Sequence, residues 1–249
     1  MAGFRDACSF LGGTIWAFAA LPARPRAFRF RDFALAFQRA SCEALPVVSG
    51  IGLLLGVILA FESAAALKAF GAEVYVSDML TIGLFRELGP LVTAIVLAGR
   101  TGSAFAAEIA TMKTNEELDA LATMGLEPVR FLVPPRVAAA VLAMPLLTIA
   151  AELAGLAGGA GVLWTMGVPP AVFWERSAAA TGAAAVALGL SKSLLFGMLA
   201  GLVGCCAGMN APPTADGAGS AATRAVVGGI VAIGVADGIL AVLCHVWNI

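Results

Sequence analysis

Five ionisable residues lie inside stretches of sequence that are otherwise apolar and long enough to cross a lipid bilayer. These residues are Arg86, Glu87, Glu152, Lys192 and Asp237. A charged side chain near the bilayer centre costs about 3 kcal/mol on insertion scales, so such side chains face one another or a polar cavity. The pattern therefore indicates either ion pairs between helices or a polar path that a substrate follows through the membrane.

Two of these residues, Arg86 and Glu87, are neighbours in the sequence. Successive residues of a helix point about 100° apart, so the two charges cannot simply neutralise each other. At least one of them should face another partner or a polar cavity. The structural alternative to a substrate path pairs Arg86 with Asp237 and Lys192 with Glu152, and such pairs would fix the helix bundle.

Motifs for covalent chemistry are absent from the sequence. It contains no G-x-x-x-x-G-K-[ST] phosphate loop and no H-E-x-x-H zinc pair. The single histidine, His245, lies near the C-terminal end, where we expect an interfacial role rather than catalysis or a proton relay. The cysteines lie in or beside apolar runs without the spacing of metal ligands: Cys8, Cys42, Cys205, Cys206 and Cys244. We predict a chain that is not an enzyme and binds no metal or cofactor, so any ATP hydrolysis belongs to a separate chain.

The composition is typical of a membrane protein with several spans, because 60% of the 249 residues are hydrophobic and 12% are charged. The net charge of −1 gives no indication of nucleic-acid binding. The apolar runs predict an all-α fold with transmembrane helices at about residues 44–66, 76–107, 132–164, 177–208 and 224–247. We divide the chain into an N-terminal segment, residues 1–43, and a transmembrane domain, residues 44–249.

The N-terminal segment contains a predicted amphipathic helix at residues 28–43. One face of this helix carries Phe30, Phe33, Ala34, Phe37 and Ala40, and arginines lie elsewhere on it. The pattern is typical of a helix in the headgroup plane of a bilayer, although a helix packed on a partner has the same pattern. The apolar stretch before it resembles a signal peptide, but an acidic residue in its first part and the arginines after it argue against cleavage.

The distribution of Lys and Arg predicts the orientation in the membrane. The N-terminal segment contains six of these residues, and four lie in or beside the connection between spans two and three: Arg100, Lys113, Arg130 and Arg136. Each of the other connections has one in or beside it, and the C-terminus contains none. Because positive residues favour the cytoplasmic side, we expect the N-terminus inside the cell and the C-terminus outside.

The connection between spans two and three, which we call the elbow, is larger than a simple turn requires. Thr114 and Glu117 form a capping-box pattern and Gly125 suits a helix C-terminus, so a helix is predicted at about residues 115–124. Its clustered apolar residues suit docking into a cleft of a partner chain, although an interfacial turn without a partner would look similar. The residues of interest are Glu108, Lys113, Glu116, Glu117, Asp119, Leu121, Met124 and Gly125.

Glycines recur at the small-xxx-small spacing that lets the backbones of two helices approach each other. The pairs are Gly52 and Gly56, Gly155 and Gly159, Gly197 and Gly201, and Gly204 and Gly208. They predict a tightly packed bundle. They are also compatible with a dimer, but they do not identify an interface.

The region around the elbow resembles a known family. Residues 86–136 read RELGPLVTAIVLAGRTGSAFAAEIATMKTNEELDALATMGLEPVRFLVPPR, which is similar to permease subunits of the MlaE/YrbE type. Those subunits belong to ABC lipid transporters that work with MCE proteins. Further similarity lies in KSLLFG at residues 192–197, in APPTADGAGSAATRAVV at residues 211–227 and in the segment around Asp237.

The resemblance implies a homodimeric permease of the bacterial inner membrane, with a cytoplasmic N-terminus and a periplasmic C-terminus. It implies an ATPase subunit, which binds ATP and Mg²⁺, docked on each elbow, and a ring of MCE-domain subunits in the periplasm. In the better known bacterial systems a STAS-domain protein also binds the ATPase. The implied cargo is phospholipid, moved between the two membranes to maintain outer-membrane lipid asymmetry, although relatives carry other lipids.

The resemblance also implies roles for individual residues. Arg86 and Glu87 match the R-E-L-G-P motif on the span that lines a lipid cavity, and Lys192 matches a lysine of the fourth helix. With Asp237, these residues form an implied lipid path. Residues 108–125 match the coupling helix that meets the ATPase.

Two other classes of protein remain as alternatives. A secondary transporter or channel would use the intramembrane charges and would work without an ATPase, with a dependence on pH or membrane potential. A membrane anchor would only assemble soluble subunits, so substitutions at Arg86, Glu87 and Lys192 would be silent as long as the bundle folds.

Overall fold

The computed structural model describes residues 10, 12–14, 16, 29–68 and 70–246. These residues form helices, turns and loops without any strand, which confirms the predicted all-α fold. The helices are α1 (Phe30–Ser41), α2 (Leu45–Lys68), α3 (Val76–Gly83), α4 (Gly89–Leu97), α5 (Ser103–Thr114), α6 (Glu117–Thr123), α7 (Pro128–Thr165), α8 (Pro170–Ala180), α9 (Ala183–Met209) and α10 (Gly217–Val246). Two π-helical turns, Leu84–Leu88 and Ala98–Gly102, join α3, α4 and α5. Most expectations for the first 28 residues lie outside the described residues.

Five helical stretches of the described chain are long and apolar enough to cross a membrane, as predicted. They are Phe30–Lys68, Val76–Thr114, Pro128–Thr165, Ala183–Met209 and Gly217–Val246. Helices suit this role because a bilayer offers no water to satisfy exposed backbone groups. The fourth stretch begins at Ala183 rather than near residue 177, since Thr181, with a ψ of 85°, ends the preceding helix.

The chain divides into two compact units. The first unit contains Met1–Ala40, Ile95–Ala143 and Gly197–Val235. The second unit contains Ser41–Ala94, Met144–Phe196 and Ala236–Ile249. The predicted boundary after residue 43 marks where the chain is expected to enter the membrane. The division into two compact units does not test it, so it stays a prediction.

In the second unit, α2 packs against α7 with backbone in contact with backbone. A Cβ added at Gly52 would meet the backbone of Ala151, and one added at Gly56 would overlap the backbone of Gly155. The Gly52 and Gly56 pair therefore serves a helix contact within the chain. Beside this contact lies an apolar core whose buried side chains include Ala60, Leu80, Leu84, Leu163 and Phe173.

Helix α8 occupies the connection between the third and fourth spans, where the sequence analysis predicted no helix. It begins at Pro170, whose fixed φ and missing N–H suit the first turn of a helix. Phe173 is fully buried and anchors the helix, while Arg176 donates two hydrogen bonds of 3.1 and 2.5 Å to Asp78 of α3. The hydrogen bond to Asp78 raises the pKa of Arg176, whose guanidinium also lies 4.5 Å from the centre of the Tyr75 ring.

In the first unit, α9 packs against α5 and the turn before it through small residues. A Cβ added at Gly204 would meet the backbone of Gly102, and one added at Gly208 would meet the backbone of Ala106. A small core of alanines accompanies this contact, formed by Ala106, Ala110, Ala211, Ala221 and Ala225. The predicted close packing of the Gly204 and Gly208 pair is therefore confirmed within the chain.

Helix α1 confirms the predicted N-terminal helix and its aromatic stripe. The Phe33 ring lies 5.7 Å from the Phe30 ring and 5.9 Å from the Phe37 ring, measured between centroids. Phe30 is 70% exposed. The Arg29 guanidinium, just before the helix, lies 4.8 Å from the centre of the Phe131 ring in α7 and ties α1 to the first unit. The placement of α1 in the headgroup plane stays a prediction.

Candidate functional site

Three charged side chains of the second unit form a network that joins three parts of the chain. The Lys192 ammonium of α9 lies 2.5 Å from a carboxylate oxygen of Glu87 and 3.1 Å from one of Asp237 in α10. We call these three residues the charged triad. The Lys192 side chain is only 1% exposed, so its charge depends on the two carboxylates for stabilisation.

The pairing differs from the one that the sequence suggested. The Lys192–Glu152 pair is wrong, because Lys192 binds Glu87 and Asp237 instead. In place of the suggested Arg86–Asp237 pair, Arg86 lies 4.0 Å from Glu87 and Asp237 binds Lys192. The sequence placed charges on particular spans but could not determine which faces of the helices meet. The expectation that Arg86 or Glu87 faces a further partner is confirmed, because Glu87 binds Lys192.

Glu87 projects from the π-helical turn Leu84–Leu88 in the second span. The Gly89 N–H donates to the carbonyl at the start of this turn, five residues back rather than four. Pro90 follows directly, and in a regular α-helix its ring would clash with the carbonyl of Arg86, four residues earlier. The wider turn accommodates the proline, so the R-E-L-G-P sequence explains why the helix is irregular where it presents Glu87.

Close packing of α9 brings Lys192 beside this turn. A Cβ added at Gly189 would overlap the Phe85 carbonyl oxygen, so α9 approaches the turn more closely than a larger residue would allow. Gly189 and Lys192 are three residues apart and lie on the same face of α9. The role of Gly189 was not predicted from the sequence. The irregular turn beside it did have a signal in the sequence, the Gly89–Pro90 pair inside an apolar span.

The triad and its neighbour Arg86 differ in how accessible they are. The side chains of Arg86 and Glu87 are 36% and 35% exposed, and their charged atoms approach to 4.0 Å. Lys192 is buried and Asp237 is 16% exposed. Arg86 and Glu87 are therefore the more exposed side chains of the four, and Lys192 bridges Glu87 and Asp237.

Glu152 of α7 contacts the backbone at the end of the same turn but takes no part in the triad. A Cβ added at Gly89 would lie 2.8 Å from the Glu152 Cγ and 2.9 Å from its Oε1. Glu152 is 2% exposed, and no described residue forms a hydrogen bond or an ion pair with it. Its carboxyl group packs against a glycine rather than beside a cation.

In the elbow, helix α6 ends as the sequence predicted. Gly125 has a φ of 77°, the left-handed conformation that glycine adopts without strain. The Gly125 N–H donates to the Ala122 carbonyl and the Leu126 N–H to the Leu121 carbonyl. These two hydrogen bonds form a Schellman motif, which gives the helix a fixed C-terminus.

The predicted N-terminus of this helix is wrong. Thr114 belongs to α5, so its hydroxyl donates to the Ala110 carbonyl, at 3.1 Å, instead of capping α6. Glu116 has a left-handed backbone with a φ of 60° and precedes α6, which begins at Glu117 without a side-chain cap. Because α5 is longer than expected, the predicted helix at residues 115–124 shortens to Glu117–Thr123.

The elbow residues fall into two groups. Glu108 binds Arg39 at 2.8 Å and Arg136 at 3.1 Å, and Lys113 donates to the Met209 carbonyl at 2.9 Å. These two side chains therefore stabilise the first unit from within. The second group is exposed or half-buried on and beside α6: Glu116, Glu117, Asp119, Leu121, Met124 and Gly125.

The described ranges hold no cluster of three His, Cys, Asp or Glu residues that could bind a metal ion. Two polar features of the described residues are candidate sites instead, the charged triad and the exposed elbow helix. Together with the five apolar stretches, they define a membrane protein with several spans and a polar site inside its apolar part.

Comparison with known proteins identifies the family. A family model described as permease MlaE matches residues 33–243, so the chain belongs to the MlaE permease family. It is 35% identical over 188 residues to the intermembrane phospholipid transport system permease protein MlaE of Haemophilus influenzae, covering 74% of this chain and 72% of that protein. A probable ABC transporter permease protein of Synechocystis is 38% identical over 180 residues, which are 72% of this chain and 68% of that protein.

A plant protein is also similar. The chain is 31% identical over 204 residues to the chloroplastic protein TRIGALACTOSYLDIACYLGLYCEROL 1 of Arabidopsis thaliana, covering 82% of this chain and 58% of that protein. The resemblance inferred from residues 86–136 is therefore confirmed, and the chain is a membrane permease of the ABC transporter type.

Proposed function

We propose that this permease moves phospholipid between the inner membrane and a periplasmic MCE-domain protein, and so maintains the lipid asymmetry of the outer membrane. The charged triad carries the proposal, because a partly exposed polar group inside an apolar span suits a headgroup that must pass through the membrane region. The similarity to the phospholipid transport permease of Haemophilus influenzae supports this choice of cargo.

Arg86 and Glu87 contact the headgroup in this proposal. A guanidinium binds phosphate through directed, charge-assisted hydrogen bonds, which suits Arg86 to the phosphate of a phospholipid. Glu87 accepts hydrogen bonds from an ammonium or hydroxyl group of the headgroup. Lys192 and Asp237 keep Glu87 in position and do not touch the lipid, because the Lys192 side chain is 1% exposed and already binds both carboxylates.

The elbow transmits movement from a separate ATPase subunit, which binds ATP and Mg²⁺. Helix α6 offers a half-buried apolar side chain, Leu121, and Met124 directly after it offers an exposed one, beside a group of acidic residues. An apolar anchor with a charged rim is the usual composition of a docking surface. The Schellman motif at Gly125 fixes the end of α6, so a push on this helix passes to α7, which begins at Pro128.

The assembly that follows is a homodimer with a lipid cavity at its axis. The N-terminus and the elbow lie in the cytoplasm and the C-terminus in the periplasm, where the chain meets a ring of MCE-domain subunits. A STAS-domain protein binds the ATPase. Closure of the two ATPase subunits moves the elbows, compresses the cavity and transfers the lipid to or from the ring.

A gentle detergent purification of the tagged protein from its own cells tests this function. Mass spectrometry should detect an ATPase, an MCE-domain protein and phospholipid enriched above the bulk membrane. The same ATPase with another enriched lipid would change the cargo and keep the transporter class. A protein purified without any ATPase would overturn the proposal and favour a secondary transporter.

A further inference from the structure

Glu152 is a buried acidic side chain that the proposed transport mechanism does not use. It lies on α7 inside the third span, is 2% exposed and has no hydrogen bond or ion pair with any described residue. An ionised carboxylate that is almost entirely buried and has no cation partner is strongly unfavourable in an apolar environment, and such a group takes up a proton instead. The packing around Glu152 is therefore compatible with the uncharged acid.

The charged groups near Glu152 are already engaged with one another. The turn against which it packs carries Arg86 and Glu87, whose charged atoms lie 4.0 Å apart. On α9 and α10, Lys192 and Asp237 bind each other at 3.1 Å, and Lys192 also binds Glu87. Helix α2, which packs against α7, carries no charged residue from position 45 to position 61.

A second unpaired polar group lies on the helix that Glu152 contacts. The Thr93 hydroxyl is buried and has no hydrogen-bond partner among the described residues. Thr93 follows Gly89 by four residues, so both lie on the same face of α4. Glu152 contacts this face at Gly89, where a Cβ would come within 2.9 Å of its Oε1. The face that Glu152 contacts therefore also carries one buried hydroxyl without a hydrogen-bond partner among the described residues.

We propose that Glu152 is a proton-binding site inside the membrane and that its proton permits α7 to pack against the turn that carries Glu87. When Glu152 loses its proton, a negative charge without a cation lies against Gly89, two residues from Glu87. The burial of this charge without a cation opposes the packing. The packed state binds more protons than an open state in which water reaches Glu152, so the packed state is favoured at low pH and lost as the pH rises.

Infrared spectroscopy tests the protonation state without relying on transport or on the identity of the cargo. The complete transporter, purified in a detergent that contains no ester or carboxyl group, should show the carbonyl stretching band of a protonated carboxyl group at neutral pH. The band should be absent from Glu152→Gln and retained in Glu62→Gln, since Glu62 is exposed on α2. If wild type lacks the band, or if Glu152→Gln leaves it unchanged, Glu152 is not a protonated site and the proposal is overturned.

The pH profile of lipid transfer tests whether the packing of α7 against the turn that carries Glu87 depends on the proton of Glu152. This second test rests on the proposed function, in which Glu87 contacts the headgroup. Wild-type transfer should fall as the pH rises, by about tenfold per pH unit once Glu152 is mostly ionised. Glu152→Gln mimics the uncharged acid, so it should assemble normally and keep the low-pH rate at every pH, while Glu62→Gln follows wild type. A Glu152→Gln variant that assembles and is inactive at all pH values would show that the charged form is needed and would overturn the proposal.

Discussion

Lys192 is the residue on which the charged triad depends. It is the shared partner of Glu87 and Asp237, and its side chain is almost completely buried. Replacing one member of a buried ion pair leaves uncompensated charge and costs about 3–5 kcal/mol. We therefore expect Lys192→Met to lower the thermal unfolding temperature of the purified protein clearly.

The matched control for this prediction is Lys68→Met, because Lys68 is exposed at the end of α2. This variant should unfold at the wild-type temperature. Equal unfolding temperatures for Lys192→Met and wild type would show that the triad does not stabilise the fold.

At the residue scale, the sequence predicted which charges matter but not how they pair. Charges inside apolar spans are visible in the sequence because lipid tolerates them poorly. Their partners depend on the π-helical turn at Leu84–Leu88, which changes the direction of Glu87, and on Gly189, which lets α9 approach that turn. Neither effect follows from regular helical spacing, so the suggested Lys192–Glu152 pair was wrong.

At the scale of elements, the contact between α2 and α7 gives a sharp test of the packing. A side chain at Gly56 would overlap the backbone of Gly155, which cannot move aside without shifting α7. We expect Gly56→Ala to destabilise the protein by about 1–3 kcal/mol, as overpacking does elsewhere. The measurement is thermal unfolding in detergent.

Gly50 supplies the control on the same helix, because a Cβ added there meets no atom within 4 Å. Gly50→Ala should be neutral or slightly stabilising, since alanine favours helices by up to about 1 kcal/mol over glycine. Similar unfolding temperatures for the two variants would contradict the close contact of α2 with α7.

Helix α6 is the element expected to bind the ATPase. Met124, directly after its last residue, is 66% exposed, and a charge there would oppose burial in an apolar cleft. We expect Met124→Glu to reduce co-purification of the ATPase by about tenfold or more, while the permease itself stays folded. The control is Phe70→Glu, since Phe70 is 82% exposed on a different connection. Equal ATPase recovery from both variants would exclude α6 as the docking element.

The elements were predicted to different extents for physical reasons. Hydrophobic length identified all five spans, since a bilayer requires long apolar helices. Helix α8 was missed because it is short and begins at the second residue of a Pro–Pro pair, which usually signals a break rather than a start. The predicted capping box at Thr114 was wrong because α5 continues as far as Thr114. Inside a helix, a threonine hydroxyl can donate to the carbonyl four residues earlier, as Thr114 does to Ala110.

At the scale of the whole molecule, the family and the number of spans could be inferred from the sequence, and both are confirmed. The homodimer, the ATPase, the MCE-domain ring and the orientation in the membrane remain proposals. They depend on surfaces of other chains and on the lipid bilayer, and a single chain carries only one side of each of those contacts. The exposed elbow helix and the partly exposed Arg86 and Glu87 are the features that such partners would meet.

The central claim is that this permease passes phospholipid along Glu87 when an ATPase drives it. The most direct measurement is transfer of labelled phospholipid by the reconstituted transporter in vesicles, with and without ATP. Wild type and the exposed control Glu62→Lys should transfer lipid only with ATP, whereas an assembled Glu87→Lys complex should be slower by about tenfold or more. Equal transfer by Glu87→Lys and wild type, or wild-type transfer that does not need ATP, would contradict the claim.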